Sequence, residues 1–141
     1  MPVSSKDFLS LVQNATTNAN SEIDYRNIIS RGYYGMYHGV LELLTKRPIP
    51  IKGVGCHESL KDYLTSYDAK QDEPYAPKDM QRLKTFLEIY KTKRRKADYD
   101  LDEEVFKDEA IAVCHALDKF LQQCASMQAA VAIQPKTQKP S

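Results

Sequence analysis

The chain has 141 residues, of which 42% are hydrophobic and 28% are charged, with only 5 glycines and 7 prolines. This composition is typical of one soluble globular domain and excludes a disordered, collagen-like or disulfide-stapled chain. Lysine and arginine number 20 and aspartate and glutamate 19, so the formal net charge of +1 neither requires nor excludes a nucleic-acid partner.

The cysteines and the lack of a long apolar run bear on where the protein resides. Cys56, Cys114 and Cys124 are odd in number and lack CxxC spacing, which favours a reducing compartment. No apolar run reaches the roughly 20 residues of a membrane-spanning helix, and the N-terminus lacks a basic region followed by an apolar core. We therefore expect a cytoplasmic protein without a membrane partner.

Caps and apolar periodicity predict five helices and no strand. The first two helices each have a serine followed three residues later by an aspartate, Ser4 with Asp7 and Ser21 with Asp24. Prolines and glycines predict a loop over 47–55. The predicted helices cover about 6–17, 21–46, 57–67, 80–97 and 103–127. The expected fold class is all-α, an antiparallel bundle of four to five helices over 1–127 with a flexible polar tail over 128–141.

The second predicted helix carries a polar face that contains Arg31 and His38. At about 100° per residue, their spacing returns to within roughly 20°, so both side chains leave the same side of the helix. Asn27, Tyr34 and Glu42 fall within about 60° of Arg31. This face is either the solvated side of an amphipathic helix or a functional site.

Three glycines and three tyrosines fall within residues 32–39. A glycine costs roughly 1 kcal/mol inside a helix relative to alanine, which indicates that something approaches this surface closely. The tyrosines are suited to covering a groove or stacking on bases, although tyrosines at helical spacing more often belong to a core or an interface.

Two segments together resemble the HEPN domain family. Residues 30–38, SRGYYGMYH, place a histidine after an arginine and six intervening residues. Residues 94–99, RRKADY, supply Arg94, Ala97 and Asp98 of an Arg-x-x-Ala-Asp-Tyr motif at the end of the fourth predicted helix. His57 opens the helix between the two motifs, and the resemblance covers about 21–124.

The resemblance implies a helical bundle that forms a homodimer through the helix of Arg31 and His38. Many such domains cleave RNA without a metal or other cofactor and act as toxins or antiviral effectors. His38 is then a general acid or base and Arg31 holds phosphate oxygens, which gives 2′,3′-cyclic phosphate and 5′-hydroxyl ends. Two-fold symmetry would bring a second copy of both residues to the same phosphate. The residues expected to bind RNA or support the site are Asn27, Tyr34, Glu42, Arg94 and Asp98.

Other HEPN domains only bind partners, for example as the partner subunit of a nucleotidyltransferase, and this is the alternative function. Toxins controlled by a nucleotidyltransferase antitoxin often carry a tyrosine two residues after the histidine, as the modified position. This chain has Val40 there, which argues against control by that route. Taken together, the partners that the resemblance implies are RNA, a second copy of the chain, and an antitoxin or nucleotidyltransferase.

Arg94 is in line with the apolar positions Leu83, Leu87 and Tyr90, which predicts that its side chain points inward. Asp98 follows one turn later, so Arg94 is either half of a structural ion pair or a direct phosphate ligand. The basic run at 91–96 is either a solvated helix end or an attractor for RNA. Cys-His pairs at 56–57 and 114–115 suggest zinc, but adjacent residues point to different sides of a helix, so no metal is expected.

Overall fold

The computed structural model describes residues 3–46 and 55–133. These ranges contain six helices and no strand, which confirms the predicted all-α helical bundle. The helices are α1 (Ser5–Asn18), α2 (Glu22–Leu43), α3 (Cys56–Leu64), α4 (Tyr67–Asp72), α5 (Pro77–Tyr99) and α6 (Lys107–Ile133). None of them is long and apolar enough to cross a membrane.

Local hydrogen bonds hold the first two helix starts, as the capping pattern predicts. The carboxylate of Asp7 accepts the backbone N–H of Ser4 at 2.8 Å. Asp24 accepts the N–H of Asn20 at 3.1 Å and the hydroxyl of Ser21 at 3.0 Å, and these bonds hold the pKa of Asp24 below its usual range. Both carboxylates also interact favourably with the positive end of the helix dipole.

The central helix of the bundle is α2, which packs against α1, α5 and α6. Its side chains Ile28, Tyr33, Met36 and Val40 are at most 1% exposed. Burying a large apolar side chain contributes about 1.5–3 kcal/mol, so this core is the main source of stability. The fully buried side chains that the other helices contribute are Val12, Leu60, Leu64, Leu83, Leu87, Val113 and Leu117.

Three segments differ from the sequence-based expectation. The connection predicted before the fourth helix contains α4, which begins where the hydroxyl of Ser66 accepts the N–H of Ala69 at 3.1 Å. α5 begins at Pro77, ahead of the predicted residue 80, because proline suits a first turn in which the N–H lacks a helical partner. α6 begins at Lys107, after the predicted residue 103, and it continues to Ile133, so residues 128–133 of the predicted tail are helical. Residues 128–132 are rich in alanine, which favours this extension. The predicted loop at 47–54 and residues 134–141 lie outside the described residues.

The glycines of α2 face the core, which corrects the expectation that they open a surface for a second protomer or RNA. All three are buried. A Cβ on Gly32 would lie 2.5 Å from Cγ1 of Val113 on α6. Gly35 lies between Leu117 and Phe8, where a Cβ would be 2.9 Å and 3.0 Å from their nearest carbons. The close neighbours are therefore α6 and α1 of the same chain.

Candidate functional site

The predicted polar stripe of α2 remains outside the core. Asn27 and Arg31 are exposed, and Tyr34 and His38 are half-buried. Arg31 makes no hydrogen bond or ion pair with any residue of the described ranges. Its planar set of N–H donors is therefore available to a ligand and matches two oxygens of one phosphate group.

His38 is held by ring contacts. Its ring stacks on Phe8 of α1, with centroids 5.1 Å apart and an angle of 13° between the planes. The ring of Tyr37 meets it edge-on at 5.6 Å. Neither ring nitrogen of His38 has a hydrogen-bond partner among the side chains and backbone that the structure describes. The imidazole is thus oriented by packing, while its nitrogens remain free for proton transfer.

Arg94 points inward, as its helical phase predicts, and forms the ion pair with Asp98 that is the first of its two alternative roles. The residue is 9% exposed, and its Nη1 lies 3.3 Å from Oδ2 of Asp98 and 3.4 Å from the hydroxyl of Tyr34. Asp98 also accepts the hydroxyl of Ser30 at 3.2 Å. The guanidinium carbon lies 5.7 Å from the ring centroid of Tyr34 and 5.6 Å from that of Tyr33, within cation–π range. The structure therefore brings together three of the predicted site residues.

His57 joins this cluster from the start of α3. Its Nδ1 lies 2.8 Å from the hydroxyl of Tyr33, and its ring packs against Tyr34 and Tyr37 with centroids 5.9 and 4.6 Å apart. Burial, followed by the nearby cation of Arg94, lowers the pKa of His57 below its ordinary value. Burial also raises the pKa of Tyr33, so its phenol remains protonated. Sequence analysis places His57 only at a helix start and does not predict its contact with the tyrosines.

Two predicted site residues lie at opposite ends of α2. Glu42 accepts the backbone N–H of Ser5 at 2.8 Å and its hydroxyl at 2.6 Å, so its carboxylate anchors the start of α1. Asn27 lines a cleft of about 290 Å³ together with Asp98, Ile23 and Leu101. The structure therefore places Asn27 beside the Arg94 cluster and gives Glu42 a structural contact.

Arg26 is a buried residue that sequence analysis did not single out. Its guanidinium donates to the backbone oxygens of Lys96 at 3.2 Å, Ala97 at 2.9 Å and Asp100 at 3.2 Å, and also to that of Glu103. These carbonyls lie in the last turn of α5 and just beyond it. Those of Lys96 and Asp100 also accept backbone N–H groups, at 3.0 and 3.1 Å. Arg26 therefore ties the start of α2 to the end of α5. Its position about 140° from Arg31, on the apolar side of α2, is the sequence signal that could have identified it.

Glu73 is the second buried charge that sequence analysis missed. It is 6% exposed and accepts the backbone N–H groups of Thr45 at 2.7 Å and Lys46 at 3.1 Å. The hydroxyl of Tyr63 donates to it at 2.6 Å. Glu73 thus binds the chain immediately after α2.

The basic run at 91–96 does not form a single free surface. Lys91 and Lys61 each lie 2.8 Å from the same oxygen of Glu58, and the hydrogen bonds from Lys61 and Lys91 lower the pKa of Glu58 to about 2. Lys96 lies 3.4 Å from Glu109. Arg95 is exposed. Much of the positive charge of this run is therefore paired within the chain.

The two Cys-His pairs considered for zinc, at 56–57 and 114–115, do not form a metal site in the described residues. Within 3–46 and 55–133, no group of three or more His, Cys, Asp or Glu side chains is placed to hold a metal ion. The thiols of Cys56, Cys114 and Cys124 are free, with only the first exposed. His57 contacts Tyr33, as described above, whereas His115 is exposed on α6.

The geometry defines the class of protein as an all-α helical bundle with a polar stripe on its central helix and an arginine–tyrosine–histidine cluster beside it. Comparison of the chain with protein-family models, with curated proteins and with solved structures finds no match.

Proposed function

We propose that this chain is a metal-independent endoribonuclease of HEPN type, which acts in the cytoplasm as a toxin or antiviral effector. The observation that carries the proposal is the presence, on one side of α2, of an exposed Arg31 and of a His38 ring that packing orients. The cluster of Tyr34, Arg94 and Asp98 supports it with a second arginine on the neighbouring helix.

The proposed reaction uses the 2′-hydroxyl of RNA as the nucleophile. His38 takes the proton of that hydroxyl, its oxygen attacks phosphorus, and the bond to the 5′-oxygen breaks. Arg31 binds the phosphate oxygens and stabilises the negative charge that develops on them. The products are a 2′,3′-cyclic phosphate and a 5′-hydroxyl, and the leaving oxygen needs a proton from a second group.

A homodimer would supply that second group. One chain contributes one His38, whereas the reaction needs both a base and an acid. Two-fold pairing of α2 would bring two copies of the polar stripe to one phosphate. The residues of α2 that remain open to a partner helix include Ile23, Asn27 and Arg31, all of which are exposed.

The test is incubation of the purified protein with RNA in EDTA, followed by analysis of the RNA ends. We expect cyclic phosphate and 5′-hydroxyl ends from the wild-type protein and from His115→Ala, which removes an exposed histidine of α6. His38→Ala should abolish cleavage without a change in helix content. Equal cleavage by His38→Ala and His115→Ala would contradict the assigned site.

A paired arginine variant tests the phosphate contact. Arg31→Lys keeps the charge but loses the planar set of donors, so we expect cleavage to fall by about 100-fold. Arg95→Lys changes an exposed arginine of α5 and should cleave RNA at the wild-type rate. Full activity of Arg31→Lys would show that a point charge is sufficient at this position.

The second candidate function is a non-catalytic subunit that binds an antitoxin or nucleotidyltransferase. It is favoured by two large apolar side chains that line the cleft beside Asn27, since Ile23 is 70% and Leu101 72% exposed. Exposed apolar side chains that lie close together are typical of protein-binding surfaces.

The position that is a tyrosine in many HEPN toxins is Val40 in this chain. Val40 is 0% exposed, so a modifying enzyme would not reach it. Copurification with a nucleotidyltransferase, without RNA cleavage, would favour the second candidate function.

A further inference from the structure

Within residues 3–46 and 55–133, only part of the Arg94 guanidinium has hydrogen-bond partners. Its hydrogen bonds to Asp98 and to Tyr34 both leave from Nη1. Nε is buried and has no partner, and Nη2 makes no hydrogen bond with the described part of the chain. Nε and Nη2 form the side of a guanidinium that binds two oxygens of one anion. A buried donor without an acceptor costs about 1–3 kcal/mol, so this edge lacks an acceptor that a ligand can provide.

His57 offers a further donor in the same cluster. Nδ1 of His57 lies 2.8 Å from the hydroxyl of Tyr33, whose proton has no other acceptor in the described part of the chain. We therefore assign the donation to the phenol, which leaves the proton of the neutral imidazole on Nε2. His57 and Arg94 share contacts with the rings of Tyr33 and Tyr34. The cluster thus combines an N–H group of a neutral imidazole with the unpaired edge of a guanidinium.

The charges around His57 favour an anion. Three cations lie around the cluster, those of Arg94, Lys91 and Lys61, against the two carboxylates of Glu58 and Asp98. Both lysines bind the carboxylate of Glu58 at 2.8 Å. The local charge is therefore positive even though the chain as a whole is close to neutral. An anion bound here gains attraction from more than one group.

We propose that the Nε and Nη2 edge of Arg94, together with Nε2–H of His57, binds a phosphate group. As an RNA subsite this inference rests on the proposed function, because the phosphate would be a neighbour of the one held by Arg31. The tyrosines around the cluster then lie where a base can stack. The role of Arg94 goes beyond its ion pair with Asp98, because that pair uses only Nη1.

The site is tested by titration of the ¹⁵N-labelled full chain with inorganic phosphate, observed through the Nε–H signals of its arginines. The signal that disappears in Arg94→Lys identifies Arg94. We expect this signal to shift along a saturating curve in the wild-type protein and in Arg95→Lys. Arg94→Lys should bind phosphate about tenfold more weakly, as judged from the remaining perturbed signals. If Arg94→Lys fails to fold, selective labelling of arginine still assigns the wild-type signal through its contacts with Tyr33 and Tyr34.

Two nucleoside probes separate a phosphate site from a stacking site. Adenosine monophosphate should shift the Arg94 signal and adenosine alone should not. A signal that is unmoved by inorganic phosphate, or moved equally by adenosine, would overturn the proposed site. Neither result depends on RNA cleavage. Loss of this site would leave the proposed ribonuclease activity standing, whereas phosphate binding without cleavage would contradict the activity and retain the site.

Discussion

Arg26 and Arg31 are the same residue type on the same helix, and their surroundings are opposite. Arg26 is 5% exposed, with its guanidinium against backbone oxygens at the end of α5, whereas Arg31 is exposed. Helical phase separates them, since Arg26 lies about 140° from Arg31, on the apolar side of α2. The backbone acceptors of Arg26 are not predictable in this way, because they are 70 to 77 residues later in the chain. Arg26 is thus a structural residue in the helix that carries the proposed site.

Replacement of Arg26 is expected to destabilise the fold. Arg26→Ala removes a charged donor from four carbonyls at the end of α5, of which two keep a backbone donor. Hydrogen bonds to a charged group contribute about 1.5–3 kcal/mol each, so we expect a loss of roughly 2–4 kcal/mol. Arg31→Ala, as the matched control, should change the free energy of unfolding by less than about 0.5 kcal/mol. Urea unfolding followed by circular dichroism measures both. Equal losses in the two variants would contradict the contrast in burial.

His57 should make stability depend on pH near neutrality. Its pKa is lowered in the folded protein, first by burial and then by Arg94, so the unfolded chain takes up a proton at higher pH than the folded one. Its contribution is therefore complete above the unfolded pKa of about 6.5 and is lost as pH falls toward the folded pKa. We expect the free energy of unfolding to fall as the pH is lowered through about 6.5. His57→Gln should weaken the dependence of the free energy of unfolding on pH in this range. If the dependence is the same in the variant as in the wild-type protein, groups other than His57 cause it.

The glycines of α2 should set the distance between two helices. Gly35→Ala favours the helix by about 1 kcal/mol, but its Cβ would lie 2.9 to 3.0 Å from carbons of both Leu117 and Phe8. Because neighbours on two sides must move, we expect a net loss of about 1–2 kcal/mol. Gly55→Ala is the control, since a Cβ there meets nothing within 4 Å and its φ of −65° suits alanine. Chemical unfolding measures the free energy of unfolding of both variants. A Gly35→Ala variant that is more stable than the wild-type protein would show that α1 and α6 can move to accommodate the added Cβ at little cost.

Sequence reasoning succeeds where a feature depends on residues within one turn. The caps at Asp7 and Asp24 and the pair of Arg94 with Asp98 are of this kind, and the structure contains all of them. Helical phase also places Arg31 and His38 outside the core. Helical phase does not show which other helix packs against a given face. The contacts of the α2 glycines with α1 and α6 are therefore not predictable from spacing. The contact of His57 with Tyr33 likewise depends on how α3 packs.

At the scale of the whole molecule, the proposed homodimer is expected to use the exposed end of the polar stripe. Ile23 is 70% exposed and in helical line with Asn27 and Arg31. A charge at this position would be desolvated in a dimer, so Ile23→Asp should shift sedimentation toward monomer and lower RNA cleavage in parallel. Ile89→Asp changes an isoleucine of α5 that is 48% exposed and should leave both measurements unchanged.

A monomeric but fully active Ile23→Asp would contradict the composite site. The same result would leave the helical bundle and the placement of Arg31 and His38 unaffected. If wild type and both variants were equally dimeric, the interface would instead lie elsewhere on the molecule.

The clamping of α2 at both ends has a consequence for the motions of the bundle. Arg26 fastens its first turns to α5, and Glu73 and Tyr75 bind the backbone at and after its last turn, with the hydroxyl of Tyr75 donating to Leu43 at 2.8 Å. Amide protons of α2 should therefore exchange with deuterated water only when the whole domain unfolds, whereas those of α4, six residues long, should exchange through local opening. The backbone beneath Arg31 and His38 would then keep its place for as long as the domain is folded, so the proposed phosphate contact and the proposed base would share the lifetime of the fold.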